Sequence, residues 1–372
     1  MQNIPVWEDG DWRDLPALSS DIDADVCVVG LGGSGLSCIG ELLDLGVRRV
    51  VGIDASQIAG GAAGRNGGFL LAGMARFYHE AAAALGSERA RRIYELTLEQ
   101  IDRIAVETPE VVRRVGALRI AASAEELEDC DAQLAAMLRD GLPAERYRGE
   151  EGEGLLFPTD GVFSPLARCR ALARQAIERG ASLHERTPAL AVSGTRVTTP
   201  RATIRCERAI VAVDGMLERV FPELEGRVRT ARLQMLATAP APEVRFPRPV
   251  YYRWGYEYWQ QLPNGSVALG GFRDRCGEEE WTHDAVPTEV GQELLEGFLR
   301  ERLRVTAPVT HRWAAPVSFA SGVLPLLEQP RPGVWAVGGY SGTGNVLGAL
   351  CGRAAAQLAV RGESELAVVS GG

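Results

Sequence analysis

A chain of 372 residues, 46% apolar and 24% charged, has ordinary globular composition and room for one large domain or two that share a core. Its formal net charge of −9 gives no electrostatic footprint for nucleic acid. All 40 basic residues are arginine, which excludes Schiff-base chemistry, a P-loop lysine and a lysine general base.

Asp25–Gly30 (DVCVVG) reads as a short buried strand, Gly32–Gly35 as a turn, and Leu36, Ile39, Leu42 and Leu43 as the apolar face of a helix ending at Gly46. Arg49–Asp54 is a second buried strand that ends in an acid. Ser87–Glu107 is a charged amphipathic helix. Ser123–Asp140 is another, opened by a capping box of Ser123 with Glu126. Ser164-Pro165 starts a third helix, which ends at Gly180. Ala189–Val192, Thr195–Thr199 and Arg208–Val213 read as strands. Tyr251–Leu262 and Ser266–Phe272 form a hairpin through Pro263-Asn264-Gly265, and Pro287–Leu303 is helical. Val334–Val337 is a last buried strand, followed by the turn Gly338–Gly344 and a helix over Asn345–Val360. Helical and β-rich regions alternate along the chain, which predicts two domains woven from interleaved segments.

The seven cysteines are scattered without a C-x-x-C, and the four histidines are far apart. This suits a reducing cytosol and predicts no metal site. The acidic start lacks a basic n-region, and glycines with Glu41 break the apolar run from Val26 to Leu43. The expectation is a cytoplasmic protein with no membrane segment and no nucleic-acid partner.

Gly30-Leu31-Gly32-Gly33-Ser34-Gly35 satisfies G-x-G-x-x-G. It follows a strand, opens a helix, and has Asp54 at the end of the next strand, 24 residues after Gly30. Gly30 permits the turn, Gly32 lets the backbone approach a pyrophosphate, and Gly35 lets the helix sit close on the strand. Free N–H groups at the helix start favour phosphate. Asp54 would accept from ribose hydroxyls and repel a 2′-phosphate. A second glycine-rich loop follows, Gly60-Gly61-Ala62-Ala63-Gly64-Arg65-Asn66-Gly67-Gly68, which suits a ligand longer and flatter than a ribose. Six of the 24 aromatic residues fall between Tyr251 and Trp259. Period-2 alternation would put Tyr252, Trp254, Tyr256 and Tyr258 on one face.

Those segments, with SPLARCRALARQAIERGASLHERT, ERAIVAVDG, YWQQLPNGSVALGGFRD and GVWAVGGYSGTGNVLGALCGR, resemble the D-amino-acid-oxidase-like superfamily. The resemblance is to the branch of glycine, sarcosine and gamma-glutamylputrescine oxidases. It implies an α/β, two-domain (α+β) fold, glutathione-reductase-2-like: a Rossmann-like FAD domain from residues 1–80, 155–230 and 308–372, and a smaller antiparallel-sheet substrate domain from 81–154 and 231–307. It implies FAD held by Gly30, Gly32, Gly33, Ser34, Gly35, Asp54, Ala55, Gly61, Ala62, Ala63, Arg65, Asn66, Gly67, Ala189, Ala212, Gly215, Gly339, Gly342, Thr343, Gly344 and Asn345. Ala63 stands where the family usually has serine, and Asp214 is unusual in its motif.

The activity implied is hydride transfer from an amine or amino acid to flavin N5, giving an imine, with O2 or another electron acceptor to follow. Tyr252, Trp254, Tyr256, Tyr258 and Arg273 would face the substrate, with Arg65, Tyr256 and Tyr258 next to the flavin. The family's covalent attachment cysteine is missing near Phe319–Leu324, so FAD should be non-covalent. Residues 313–318 lack the arginine that binds a substrate carboxylate in glycine oxidase. An aromatic pocket without that anchor favours a neutral-bodied amine. A carboxylate would need a relocated anchor at Arg253, Arg273 or Arg65.

Overall fold

The computed structural model describes residues 3–8 and 10–371. Its organising element is a six-stranded sheet in the order Ser182–His184, Val50–Ile53, Val26–Val29, Arg208–Val211, Val334–Gly338 and Leu326–Arg331. All neighbours are parallel except the last pair. Both faces are covered, which is why these strands read as unbroken apolar runs. Val26 and Val28 face a core with helices Gly33–Asp44, Pro165–Glu178 and Leu347–Arg361, whereas Cys27 and Val29 face a four-stranded sheet through Val197 and Ile204.

The first helix begins inside the glycine motif, at Gly33. A Cβ on Gly35 would sit 1.9 Å from the Gly30 carbonyl oxygen, so helix and strand touch backbone to backbone. Helix Leu347–Arg361 begins two residues later than expected, because Thr343 folds back on the Tyr340 carbonyl through both its N–H and its hydroxyl.

An eight-stranded sheet runs Val309–Ala320, Val228–Pro240, Ser266–Gly271, Glu257–Gln261, Val250–Tyr252, Ala117–Ile120, Gly152–Phe157 and Glu145–Gly149. Every neighbour is antiparallel but one: Val250–Tyr252 lies parallel to Ala117–Ile120. Helix Glu289–Glu301 covers one face through Leu295 and Leu299. Of the two longest strands, Val228–Pro240 crosses the expected domain limit at 230, and Val309–Ala320, expected in the FAD domain, joins this sheet. They pair with each other from Val228 to Thr238, so the second sheet is larger than a minor substrate domain requires.

The expected strand Tyr251–Leu262 is broken. Arg253, Trp254 and Gly255 have φ of 50°, 52° and 84° and form a tight turn. The Glu126 carboxylate accepts the Trp254 N–H at 2.5 Å, and Arg253 grips Asp274 and Glu257. The pleat restarts in the opposite phase, so Tyr251 rather than Tyr252 pairs with Tyr258. The single face of Tyr252, Trp254, Tyr256 and Tyr258 does not form: Tyr252 packs on the other side, against Trp259 and Phe298.

Among the described residues no helix is long and apolar enough to cross a membrane. The Gly35 contact generates a test. Gly35→Ala should lower stability by about 1–3 kcal/mol through overpacking, read from the urea midpoint. An unchanged midpoint would mean the helix can lift off the strand without cost.

Candidate active site

One cavity of about 690 Å³ opens where the C-terminal ends of the parallel strands meet the face of the eight-stranded sheet. That is where ligands of open α/β sheets sit. Gly32, Gly33, Ser34 and Ala212 line it, together with Ala62, Ala63, Arg65, Asn66 and Gly67 of the second glycine-rich loop and Gly342, Thr343, Gly344 and Asn345 of the last turn. Trp254, Tyr256, Tyr258 and Arg273 also line it.

Gly30, Gly35, Ala55, Gly61, Ala189, Gly215, Gly339 and Tyr252 do not. Gly30 and Gly35 serve the helix–strand contact, and Gly215 sits under the Pro316 carbonyl. Asp54 also lies outside the lining and works within the protein. One oxygen accepts from the Leu31 N–H and the other from the Ser56 N–H and hydroxyl, all at 2.8 Å. Three of about four acceptor positions are therefore filled. Burial raises its carboxyl above the usual range.

Side-chain amides join the two glycine-rich loops. Asn345 Nδ2 donates to Asn66 Oδ1 and to the Phe69 carbonyl, and Asn66 Nδ2 donates to the carbonyls of Ala62 and Ala63. The Ser34 hydroxyl accepts from Tyr340. These side chains hold the walls, which leaves backbone groups to face a ligand. Arg65 is spent in the same way, donating to the Ala314 carbonyl and to Asn3.

Asp214 is a residue that the sequence analysis left without a role. With φ of 32°, it accepts from the N–H groups of Ser318, Gly339 and Tyr340. It thereby pins the last glycine-rich turn to strand Val309–Ala320. Burial pushes its carboxyl up to about 6, against those hydrogen bonds.

Arg168 was also missed. It lies on helix Pro165–Glu178, is 1% exposed, and lines the cavity beside Gly33. Its Nε and Nη2 have no hydrogen-bond partner, and the nearest carboxylate, Glu107, is 3.6 Å away. A buried guanidinium so poorly compensated is costly unless a ligand anion meets it. Together with the N–H groups at the start of the first helix, it fits a pyrophosphate.

The eight-stranded sheet gives the cavity a floor. Tyr258 and Tyr251 stack with centroids 5.8 Å apart, and Phe69 meets both rings edge-on. Tyr258 lies this low because Gly270 faces it: a Cβ there would be 2.5 Å from the ring. At one rim the Arg273 guanidinium is surrounded by the rings of Tyr256, Trp281 and Phe319, at 6.0, 4.8 and 4.6 Å. At the far end lie Tyr94, Arg119 and Asp160. Five arginines line the cavity against three acids, Glu80, Asp160 and Asp214. Among the described residues no group of three or more His, Cys, Asp or Glu side chains could hold a metal ion.

The family described as FAD dependent oxidoreductase matches residues 25–358. A probable oxidoreductase OrdL of Rhizobium meliloti is 27% identical over 95% of this chain and 86% of its own length. The gamma-glutamylputrescine oxidoreductase of Escherichia coli is 26% identical over 94% and 86%. Among solved structures, glycine oxidase from Geobacillus kaustophilus superposes with a TM-score of 0.75 at 19% identity, covering 92% of this chain and 96% of that one. L-proline dehydrogenase from P. horikoshii gives 0.75 at 18%, covering 94% and 96%.

Asp160 gives a pH-dependent expectation. Burial pushes its carboxyl up to about 8. A raised carboxyl holds its proton longer in the folded state, so stability is lost as pH rises from the ordinary range toward 8. Asp160→Asn should flatten that decline between about pH 5 and pH 8, measured by urea unfolding. An unchanged slope would show that Asp160 ionises normally.

Proposed function

This chain belongs to the FAD-dependent oxidoreductase family, and on that footing we propose that it oxidises the C–N bond of an amine that carries a carboxylate, with Arg273 as the carboxylate's partner. The observation that carries this reading is the state of Arg273. Arg253 is committed to Glu257 and Asp274, and Arg65 to the Ala314 carbonyl and Asn3. Arg273 lines the cavity with aromatic faces around it, and its guanidinium has no acid or hydrogen-bond partner among the described residues. Its guanidinium lies over Phe319, which shares a strand face with Val317 in the stretch that lacks arginine. The relatives' names support the same chemistry: one names gamma-glutamylputrescine as what it oxidises or reduces, others glycine and L-proline.

The cofactor such a reaction needs has residues that fit it. Gly32, Gly33 and Arg168 would hold the phosphates, Ala62–Gly67 would border the flavin ring, and Thr343–Asn345 would place the N-terminal end of helix Leu347–Arg361 against it. When bound, FAD supplies the hydride acceptor. The protein's own part is to orient the amine and keep water away, through Arg273 at one end and the wall of Tyr258, Tyr251 and Phe69. That wall also supports a second reading, a neutral-bodied amine without a carboxylate.

Anaerobic bleaching of the bound flavin separates the two. Arg273→Ala should raise KM for carboxylate-bearing amines by roughly 30-fold or more, the cost of losing a desolvated charge pair, and leave n-butylamine and benzylamine unaffected. Fast reduction by the neutral amines, with no effect of the substitution on any substrate, would overturn the carboxylate reading. For the cofactor, Arg168→Leu should weaken FAD binding about tenfold or more, measured by titration of the flavin-free protein. Unchanged affinity would place the phosphates elsewhere.

A further inference from the structure

Beyond Tyr251 the cavity continues into a region that a carboxylate at Arg273 and a flavin beside Arg65 leave unexplained. Cross-strand register sets its position: Arg119 pairs with Tyr251, and Tyr251 with Tyr258. Arg119 therefore stands two strand spacings from Tyr258, on the order of 10 Å. The ground between them is aromatic, the stacked pair Tyr258–Tyr251 with Phe69 against it.

Three polar groups converge there, none of them fully used. The Tyr94 hydroxyl is buried without a hydrogen-bond partner. The Arg119 guanidinium lies over the Phe77 ring at 4.2 Å and donates to Gln133, with no carboxylate in ion-pair range. The Asp160 side chain, 2% exposed, makes one hydrogen bond among the described residues, from the Ala72 N–H. Buried polar groups left this way are rare unless something arrives to satisfy them.

We propose that Arg119, Tyr94 and Asp160 form a distal subsite that binds the amide group of an elongated substrate, across an apolar spacer lying on Tyr258 and Tyr251. The pattern of donors and acceptors selects the amide. A free carboxylate would suit Arg119 but bring no donor for an Asp160 oxygen, and a free ammonium would face Arg119 with no ionised acid to balance it. A neutral group with both an acceptor and a donor satisfies both sides: its C=O takes the Arg119 N–H and its N–H reaches an Asp160 oxygen. The Tyr94 hydroxyl can serve either atom. Burial holds the Asp160 carboxyl up at about 8, so the subsite does not favour a cation at neutral pH. The subsite deepens the reading of Arg273 as the carboxylate partner, and rests on it for the substrate's other end.

The test uses FAD-loaded protein and two homologous series, ω-acetamidoalkanoates and the alkanoates of matching length, none of which carries an oxidisable amine. Binding is read from the perturbation of the flavin spectrum. At the best-fitting length the acetamido compound should bind about tenfold tighter than its alkanoate. Tyr94→Phe and Arg119→Met should each bring that ratio toward one while leaving alkanoate affinity in place. Tyr94→Phe removes only an unpartnered hydroxyl, so folding is not at risk. Equal binding of the two series by the wild type, or a preference that survives both substitutions, overturns the subsite. Arg273→Ala addresses the other end. If it weakens both series alike, both assignments stand. If it changes neither while the amide preference persists, the carboxylate reading falls and the subsite remains.

Discussion

Five arginines line one cavity of a protein whose net charge is −9, and among the described residues none of the five is hydrogen-bonded to a carboxylate. Elsewhere in the chain arginine is paired freely, as Arg253 is with both Glu257 and Asp274. Arg76 is exposed, but taking the other four guanidinium groups even partly out of water without a hydrogen-bonded acid costs free energy unless something compensates. The walls compensate in part. Arg65 has a carbonyl, Arg119 a glutamine and a ring face, and Arg273 three ring faces. The remainder is left for ligands with negative charge or carbonyl oxygen, which ties the cofactor end, the carboxylate end and the distal end of the cavity to a single electrostatic cause.

Such a cavity has to be held open, because exposed positive charge alone would let the loops spread. Side chains that the sequence suggests as ligand contacts hold it instead. Asn345 ties one glycine-rich loop to the other through Asn66, and Tyr340 hydroxyl to Ser34 ties the last turn to the first. Asp214 fixes that last turn to strand Val309–Ala320, where the two sheets meet. Backbone N–H groups of these turns that meet a ligand bring no side-chain entropy to be lost on binding.

What was legible in the sequence is what local pattern controls. The turn at Gly30–Gly35, the parallel strands and the helix over Ser87–Glu107 follow from apolar runs, glycine spacing and caps. The second glycine-rich loop was legible as a ligand-facing wall from its glycines, and the last turn as one through the family resemblance. The strand over Tyr251–Leu262 was not, because its break depends on Glu126, which reaches from another element to hold the Trp254 N–H. Period-2 logic carried through that break assigns Tyr252 to the wrong side and overlooks Tyr251. Arg168 left a signal that could have been read: a charge within the buried stripe of Leu166, Cys169 and Leu172. Asp160 left none, since Pro158-Thr159-Asp160-Gly161 reads as an exposed turn and only the tertiary fold buries it.

The cationic cavity can be tested most directly without any turnover. Heat denaturation of flavin-free protein, with ADP or with adenosine added, compares two ligands that share a nucleoside and differ only in phosphate. If uncompensated arginine awaits an anion at the Gly32–Gly33 end, ADP raises the unfolding temperature by several degrees and adenosine leaves it in place, because only ADP has differential affinity for the folded state. An equal response to both, or none to ADP, would contradict the idea that arginine charge without a hydrogen-bonded acid is what the cavity is built around.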